Sequence, residues 1–132
     1  YGGTYNQFKN VFSDMGIEVR FVDPADPQNF ANATDDKTRA YYGEVLPNPS
    51  FEVFPISEVA EIGRPLGIPL IVDNTAAPVI CKPFDHGAAV LIHSTTKFIG
   101  GHGTSIGGII VDSGNFDWEA FPERQDRLEY AP

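Results

Sequence analysis

The chain has 132 residues, 42% of them apolar, and 18 Asp and Glu set against 9 Lys and Arg give a net charge of -9. That length buries one modest core, so a single domain or part of one is expected, and the acidic balance argues against nucleic-acid binding, which needs clustered positive charge. One cysteine excludes an internal disulfide framework, and with no leader-like segment and no apolar run of about 18 residues a cytoplasmic protein without a membrane partner is expected.

In chain order, residues 4 to 15 have helical spacing, with Phe8, Val11, Phe12 and Met15 on one face and Gly16 at the stop. A strand is predicted at 17 to 22. After the turn around Asp23, Pro24 and Pro27, a short helix covers 27 to 32 and a strand runs near 39 to 45. Residues 56 to 66 read as a helix with Ile56, Val59, Ala60 and Ile62 inward and Ser57 as cap, ended or kinked by Pro65. Strands follow at 68 to 73, 88 to 92 and 106 to 112. The alternation predicts an open α/β fold, a mostly parallel sheet flanked by helices, with no domain boundary inside it.

The most informative segment follows the strand at 88 to 92. It runs His93-Ser94-Thr95-Thr96-Lys97 and then into a loop with glycines at 100, 101, 103, 107 and 108. A lysine between a buried strand and a glycine-rich loop, an environment that argues for a desolvated amine, can hold an aldehyde as a Schiff base while neighbouring hydroxyls grip a phosphate. Pyridoxal 5'-phosphate is the cofactor that fits. Upstream, Ile68-Pro69-Leu70-Ile71-Val72 reads as a buried parallel strand delivering Asp73 to its carboxyl end, where open α/β sheets bind ligands. An acid there can pair with the protonated pyridine nitrogen and keep the ring electron-poor.

Competing chemistries fit less well. The glycine loop departs from G-x-G-x-x-G at Ile106 and lacks the Gly-Lys-Ser/Thr ending of a phosphate loop. His86, His93 and His102 are too far apart for a local metal motif, so no metal is expected; His93 and His102 read as shaping the lysine's surroundings. Gly103-Thr104-Ser105-Ile106-Gly107 matches G-x-S-x-G, but a loop precedes the serine and a strand follows, the reverse of a hydrolase elbow. Cys81 reads as a small buried apolar residue rather than a nucleophile. A non-catalytic module is the remaining alternative.

Together these residues resemble the Cys/Met-metabolism enzymes, the cystathionine γ-synthase-like group of pyridoxal-phosphate enzymes, over essentially the whole chain. The resemblance implies part of the large cofactor-binding domain of a fold-type-I, aspartate aminotransferase-like enzyme. It implies that Lys97 is the Schiff-base lysine, Ser94 and Thr96 the phosphate-binding hydroxyls and Asp73 the acid on the pyridine nitrogen. It further implies that Tyr1, in Tyr1-Gly2-Gly3-Thr4-Tyr5, stacks on the cofactor and assists proton transfer, that Asn48 lies near the cofactor's phenolic oxygen, and that Thr75 is a cofactor contact. The family's upstream phosphate loop, its Tyr-x-Arg clamp from a neighbouring subunit and its small C-terminal domain have no counterpart in the 132 residues, so residues 1–132 are expected to be an internal piece of a longer homo-oligomer, a dimer of dimers. Within the group, the segments Lys97 to Gly108 and Gly114 to Trp118 look like sulfhydrylases. The implied reaction is γ-replacement on O-acetylhomoserine by sulfide or a thiol, with cystathionine γ-synthase, cystathionine γ-lyase or methionine γ-lyase activity as the alternative.

Overall fold

Strands β1 (Tyr41–Glu44), β2 (Leu70–Asp73), β3 (Val90–Ser94) and β4 (Gly108–Asp112) form one sheet in the order β1-β2-β3-β4 in a computed structural model that describes residues 1–122. The first two pairings are parallel and the last antiparallel. Parallel neighbours cannot be joined by a hairpin, so the chain must cross over between them. From β1 to β2 the crossover is a helix, Ile56–Gly63, extended by a 3-10 turn at Arg64–Leu66. From β2 to β3 it is an irregular stretch ending in a second 3-10 turn at Pro83–His86.

The strand period of two divides the sheet into unlike faces. Tyr41, Gly43, Leu70, Val72 and Leu91 are buried on one face, under Ile56, Val59 and Ala60 of the crossover helix and beside Phe30 and Phe54. The helix carries its buried residues Ile56, Val59, Ala60 and Gly63 at the three- and four-residue spacing of a single apolar stripe. On the opposite face Tyr42, Glu44, Ile71, Asp73, Val90, Ile92 and Ser94 are half-buried. What covers part of that face is the N-terminal segment, whose Phe8 ring meets the Tyr42 ring edge-on at 4.9 Å.

Helices are therefore numbered α1 (Gly2–Asn6), α2 (Gln28–Asn32) and α3 (Ile56–Gly63), with a π-helical stretch Gln7–Phe12 continuing α1. The short helix at 27 to 32, the strand near 39 to 45 and the break at Pro65 are all found as expected. Three readings need correction. Residues 17 to 22 run extended but form no strand: their alternation suits a sheet, yet Phe21 packs on Tyr5 (4.9 Å) and Arg20 ties to Glu18, Asp35 and the Ala33 carbonyl instead. Of the four apolar residues expected inward in the first helix, Phe8 and Phe12 are half-buried whereas Val11 and Met15 are exposed. Among the described residues nothing packs on the outer side of that helix at Val11 and Met15. Finally, Ser57 lies inside α3 behind Pro55 and Ile56, so its hydroxyl contacts His86 Nδ1 at 3.2 Å and caps nothing.

β4 is exposed along its whole length, with Ile109, Ile110 and Val111 all accessible. Among the described residues no helix is long and apolar enough to cross a membrane.

Gly43 shows how tightly the core face closes. A Cβ there would collide with the Phe54 ring, which lies directly over the strand. Gly43→Ala is expected to destabilise the fold by about 1–3 kcal/mol through overpacking. The loss, read from denaturant midpoints, should be partly recovered in the double variant with Phe54→Leu, because the two sites share one space.

Candidate active site

The site grows from the carboxyl ends of two adjacent parallel strands. Glu44 of β1 pairs in register with Asp73 of β2, and Asp73 with Ile92 of β3, so the residues just beyond these positions leave the sheet at one common edge. Ligands of open α/β sheets bind at this edge. Asp73 is the last residue of β2 and Ser94 the last of β3.

One residue ties the two ends together. The Thr75 N–H donates to Asp73 Oδ1 (2.8 Å), and the Thr75 hydroxyl accepts the Ser94 N–H (2.8 Å). Thr75 thus closes a turn onto the acid and clamps the start of the lysine segment. Next to it, buried Asn74 donates its N–H to the Ile92 carbonyl (2.9 Å) and its side-chain amide to the Cys81 carbonyl (3.0 Å), which fixes the path of the loop after β2.

Beyond Ser94 the chain coils through Thr95–Ile99, with a non-helical backbone at Lys97 (φ -94°, ψ -119°). The Thr96 hydroxyl holds the entry to β4, accepting the Gly107 N–H (3.0 Å) and lying 3.3 Å from the Gly107 carbonyl. Gly107 must be glycine for steric reasons, since a Cβ would come within 2.7 Å of Thr95 Oγ1. Lys97 and Phe98 are exposed, which corrects the expectation of a desolvated amine: the strand before the lysine is buried only at Leu91 and half-buried elsewhere, and no described residue closes over the lysine.

The remaining expected residues reach the edge less tightly. Tyr1 stands at the start of α1, its ring over Gly3 and 61% exposed, and its nitrogen donates to Glu44 Oε1 (2.9 Å). Asn48 is exposed on the turn that follows β1, closed by the Phe51 N–H on the Pro47 carbonyl (2.7 Å). His93 alternates with Ser94 and so faces the core side of the sheet, away from Asp73, while His102 is exposed on the glycine loop; neither shapes the lysine's surroundings directly. Cys81 is partly buried against the core, and burial pushes its thiol above the usual range, which favours the inert protonated form.

Two residues outside the expected set belong to the same face. Glu44 lies beside Asp73, and the Tyr42 phenol comes within 3.5 Å of Asp73 Oδ2. Burial first, then the Asp73 and Glu44 carboxylates, push this phenol well above its ordinary range. Sequence alternation in β1 places Tyr42 and Glu44 on one side, but only the register with β2 shows which side that is. An amine, a strand-end acid, two hydroxyl-bearing residues and a close glycine approach make a donor set suited to a phosphorylated pyridine aldehyde.

The profile of the family described as Cys/Met metabolism PLP-dependent enzyme matches residues 1–127. The chain belongs to that family. It is 51% identical over 119 residues to an O-acetyl-L-homoserine sulfhydrylase of Leptospira meyeri, covering 89% of this chain and 27% of that protein. It is 49% identical over 126 residues to the homocysteine/cysteine synthase of Saccharomyces cerevisiae, covering 94% of this chain and 28% of the yeast protein. A Campylobacter jejuni structure assigned as an O-acetylhomoserine (thiol)-lyase, carrying N'-pyridoxyl-lysine-5'-monophosphate, superposes with a TM-score of 0.85 at 33% identity over 88% of this chain and 29% of the other. The chain therefore spans little more than a quarter of the length of the curated relatives it matches. The family is pyridoxal-phosphate-dependent, and its α/β architecture with a mostly parallel sheet is the one described above.

The Thr75 clamp generates a measurable expectation. Thr75→Val removes the acceptor of the Ser94 N–H and should lower stability by about 1–2 kcal/mol, while Thr75→Ser, which keeps the hydroxyl, should be close to neutral in the same denaturant titration.

Proposed function

We propose that residues 1–132 form part of the large cofactor-binding domain of a longer homo-oligomeric enzyme, a dimer of dimers located in the cytoplasm, which converts O-acetylhomoserine and sulfide into homocysteine and acetate. The observation that carries this reading is the junction of the Asp73 end of β2 with the Ser94-to-Lys97 segment after β3. High identity to a sulfhydrylase and to a homocysteine/cysteine synthase supports the choice within the family. The accessible apolar strand β4 and the open flank of Lys97 are what a partial domain would leave uncovered.

Bound pyridoxal phosphate supplies an electron sink that stabilises negative charge at the substrate's α-carbon. In this reading Lys97 Nζ anchors the cofactor aldehyde and, once released by the amino-acid substrate, moves protons at the α- and β-carbons. Asp73 faces the ring nitrogen and favours its protonated form, because an adjacent carboxylate stabilises positive charge. Ser94 and Thr96, with the backbone around Gly107, hold the phosphate. Thr75 keeps acid and phosphate segment in mutual register, Tyr1 covers one face of the ring and Asn48 borders its phenolic oxygen. Across the reaction the bond from the γ-carbon to the acetyl oxygen breaks, acetate leaves, and sulfide forms the new carbon-sulfur bond.

Borohydride reduction of the full-length enzyme followed by peptide mapping should place the pyridoxyl group on Lys97. An adduct on Lys37 or Lys82 would overturn the site assignment.

Substrate competition tests the reaction itself. The full-length enzyme should be given O-acetylhomoserine with sulfide, O-succinylhomoserine with cysteine, cystathionine alone and methionine alone, with homocysteine, cystathionine and keto acid measured separately. The first pair should turn over fastest. Dominant keto acid from cystathionine or methionine would reject γ-replacement in favour of elimination while leaving Lys97 and Asp73 in their roles.

A further inference from the structure

The Asp73 carboxylate is gripped from two directions, and only one of the two donors is part of its own turn. Oδ1 receives the Thr75 N–H at 2.8 Å, and Oδ2 faces the Tyr42 phenol oxygen at 3.5 Å. Tyr42 belongs to the neighbouring strand, two residues before Glu44, the register partner of Asp73, so it stands diagonally across the β1–β2 pair on the same face. A phenol is long enough to bridge that diagonal. Its ring is held edge-on by Phe8 at 4.9 Å, and its oxygen also hydrogen-bonds the Thr4 side chain. The phenol is the donor in this contact.

We propose that Tyr42 is a positioning residue for the reaction: its hydroxyl, anchored by Thr4 and Phe8, restrains Asp73 Oδ2 and so the orientation of the carboxylate that would pair with the cofactor's ring nitrogen. This rests on the reading of Asp73 as the partner of that nitrogen. Oδ2 has lone pairs for both the phenol and the ring N–H, so the two contacts do not compete. The burial that raises the phenol's own ionisation range keeps it protonated, and thus a donor, throughout the neutral range. N-terminal segment, β1 and β2 are thereby linked into one support for a single carboxylate.

The test uses the full-length enzyme reconstituted with cofactor isotope-labelled at the ring nitrogen, in the wild type, Tyr42→Phe and Asp73→Asn. Phenylalanine keeps the ring against Phe8, so folding should survive; thermal melting checks this. Tyr42→Phe should shift the ring-nitrogen resonance part of the way toward its unprotonated position and lower kcat about tenfold, with KM and cofactor affinity unchanged. Asp73→Asn should shift the resonance fully. A Tyr42→Phe enzyme with wild-type resonance and kcat, beside an Asp73→Asn enzyme that does shift, would overturn the role of Tyr42 alone. A kcat loss accompanied by weaker cofactor binding and a lower melting temperature, without a resonance shift, would also overturn it, because support of the fold would then explain the effect. An unmoved resonance in Asp73→Asn would instead sink the underlying assignment of the acid.

Discussion

The hydrogen bonds made by Thr75 are the constraint on which the site depends. Past the paired residues Asp73 and Ile92 the carboxyl ends of β2 and β3 are joined by one backbone hydrogen bond, Asn74 N–H to the Ile92 carbonyl, and a side-chain link is needed to reach Ser94. Thr75 supplies that link with its own backbone N–H and hydroxyl, one directed to the acid and the other to the segment leading to the lysine. The strand-end carboxylate of Asp73 and the start of the Ser94-to-Lys97 segment acquire a fixed separation through this one small residue. Val or Ala at this position would keep the N–H directed at Asp73 but would lose the oxygen that accepts the Ser94 N–H.

Much of this was readable in advance. The branched apolar run ending in Asp73 and the strand ending near Ser94 are visible as strands because both are buried on at least one side and interrupted by turn residues. The placement of Asp73 and Ser94 at neighbouring strand ends follows from the order of the two runs. The nearness of Tyr42 and Glu44 to Asp73 does not, because it depends on how far β1 is displaced along β2, and register is a property of the pair rather than of either segment.

The misread elements have a common cause. Residues 17 to 22 alternate as well as many strands, but alternation specifies faces and cannot create a neighbour with free ladder positions; the side chain of Arg20 satisfies local charges instead. Val11 and Met15 continue a helical stripe that has no second surface to bury it. Lys97 follows the same logic, since its upstream strand is packed and its downstream side is open. In each case the local pattern was correct and the tertiary partner was the missing information.

The strict alternation of core and site residues along β1 and β2 has a consequence for how this protein can change over time. Val72 is fully buried while Asp73 beside it faces the site, and Tyr41 and Gly43 interleave with Tyr42 and Glu44 in the same way. Deleting or inserting one residue within these strands would turn an acid into the hydrocarbon interior and a valine outward, destroying packing and chemistry together. Within this sheet, change is therefore confined to substitutions, or to length changes in the loops that begin after Glu44, Asp73 and Ser94. The tempo of innovation in such a sheet is set by its loops, and its strands are committed to a fixed reading frame of faces.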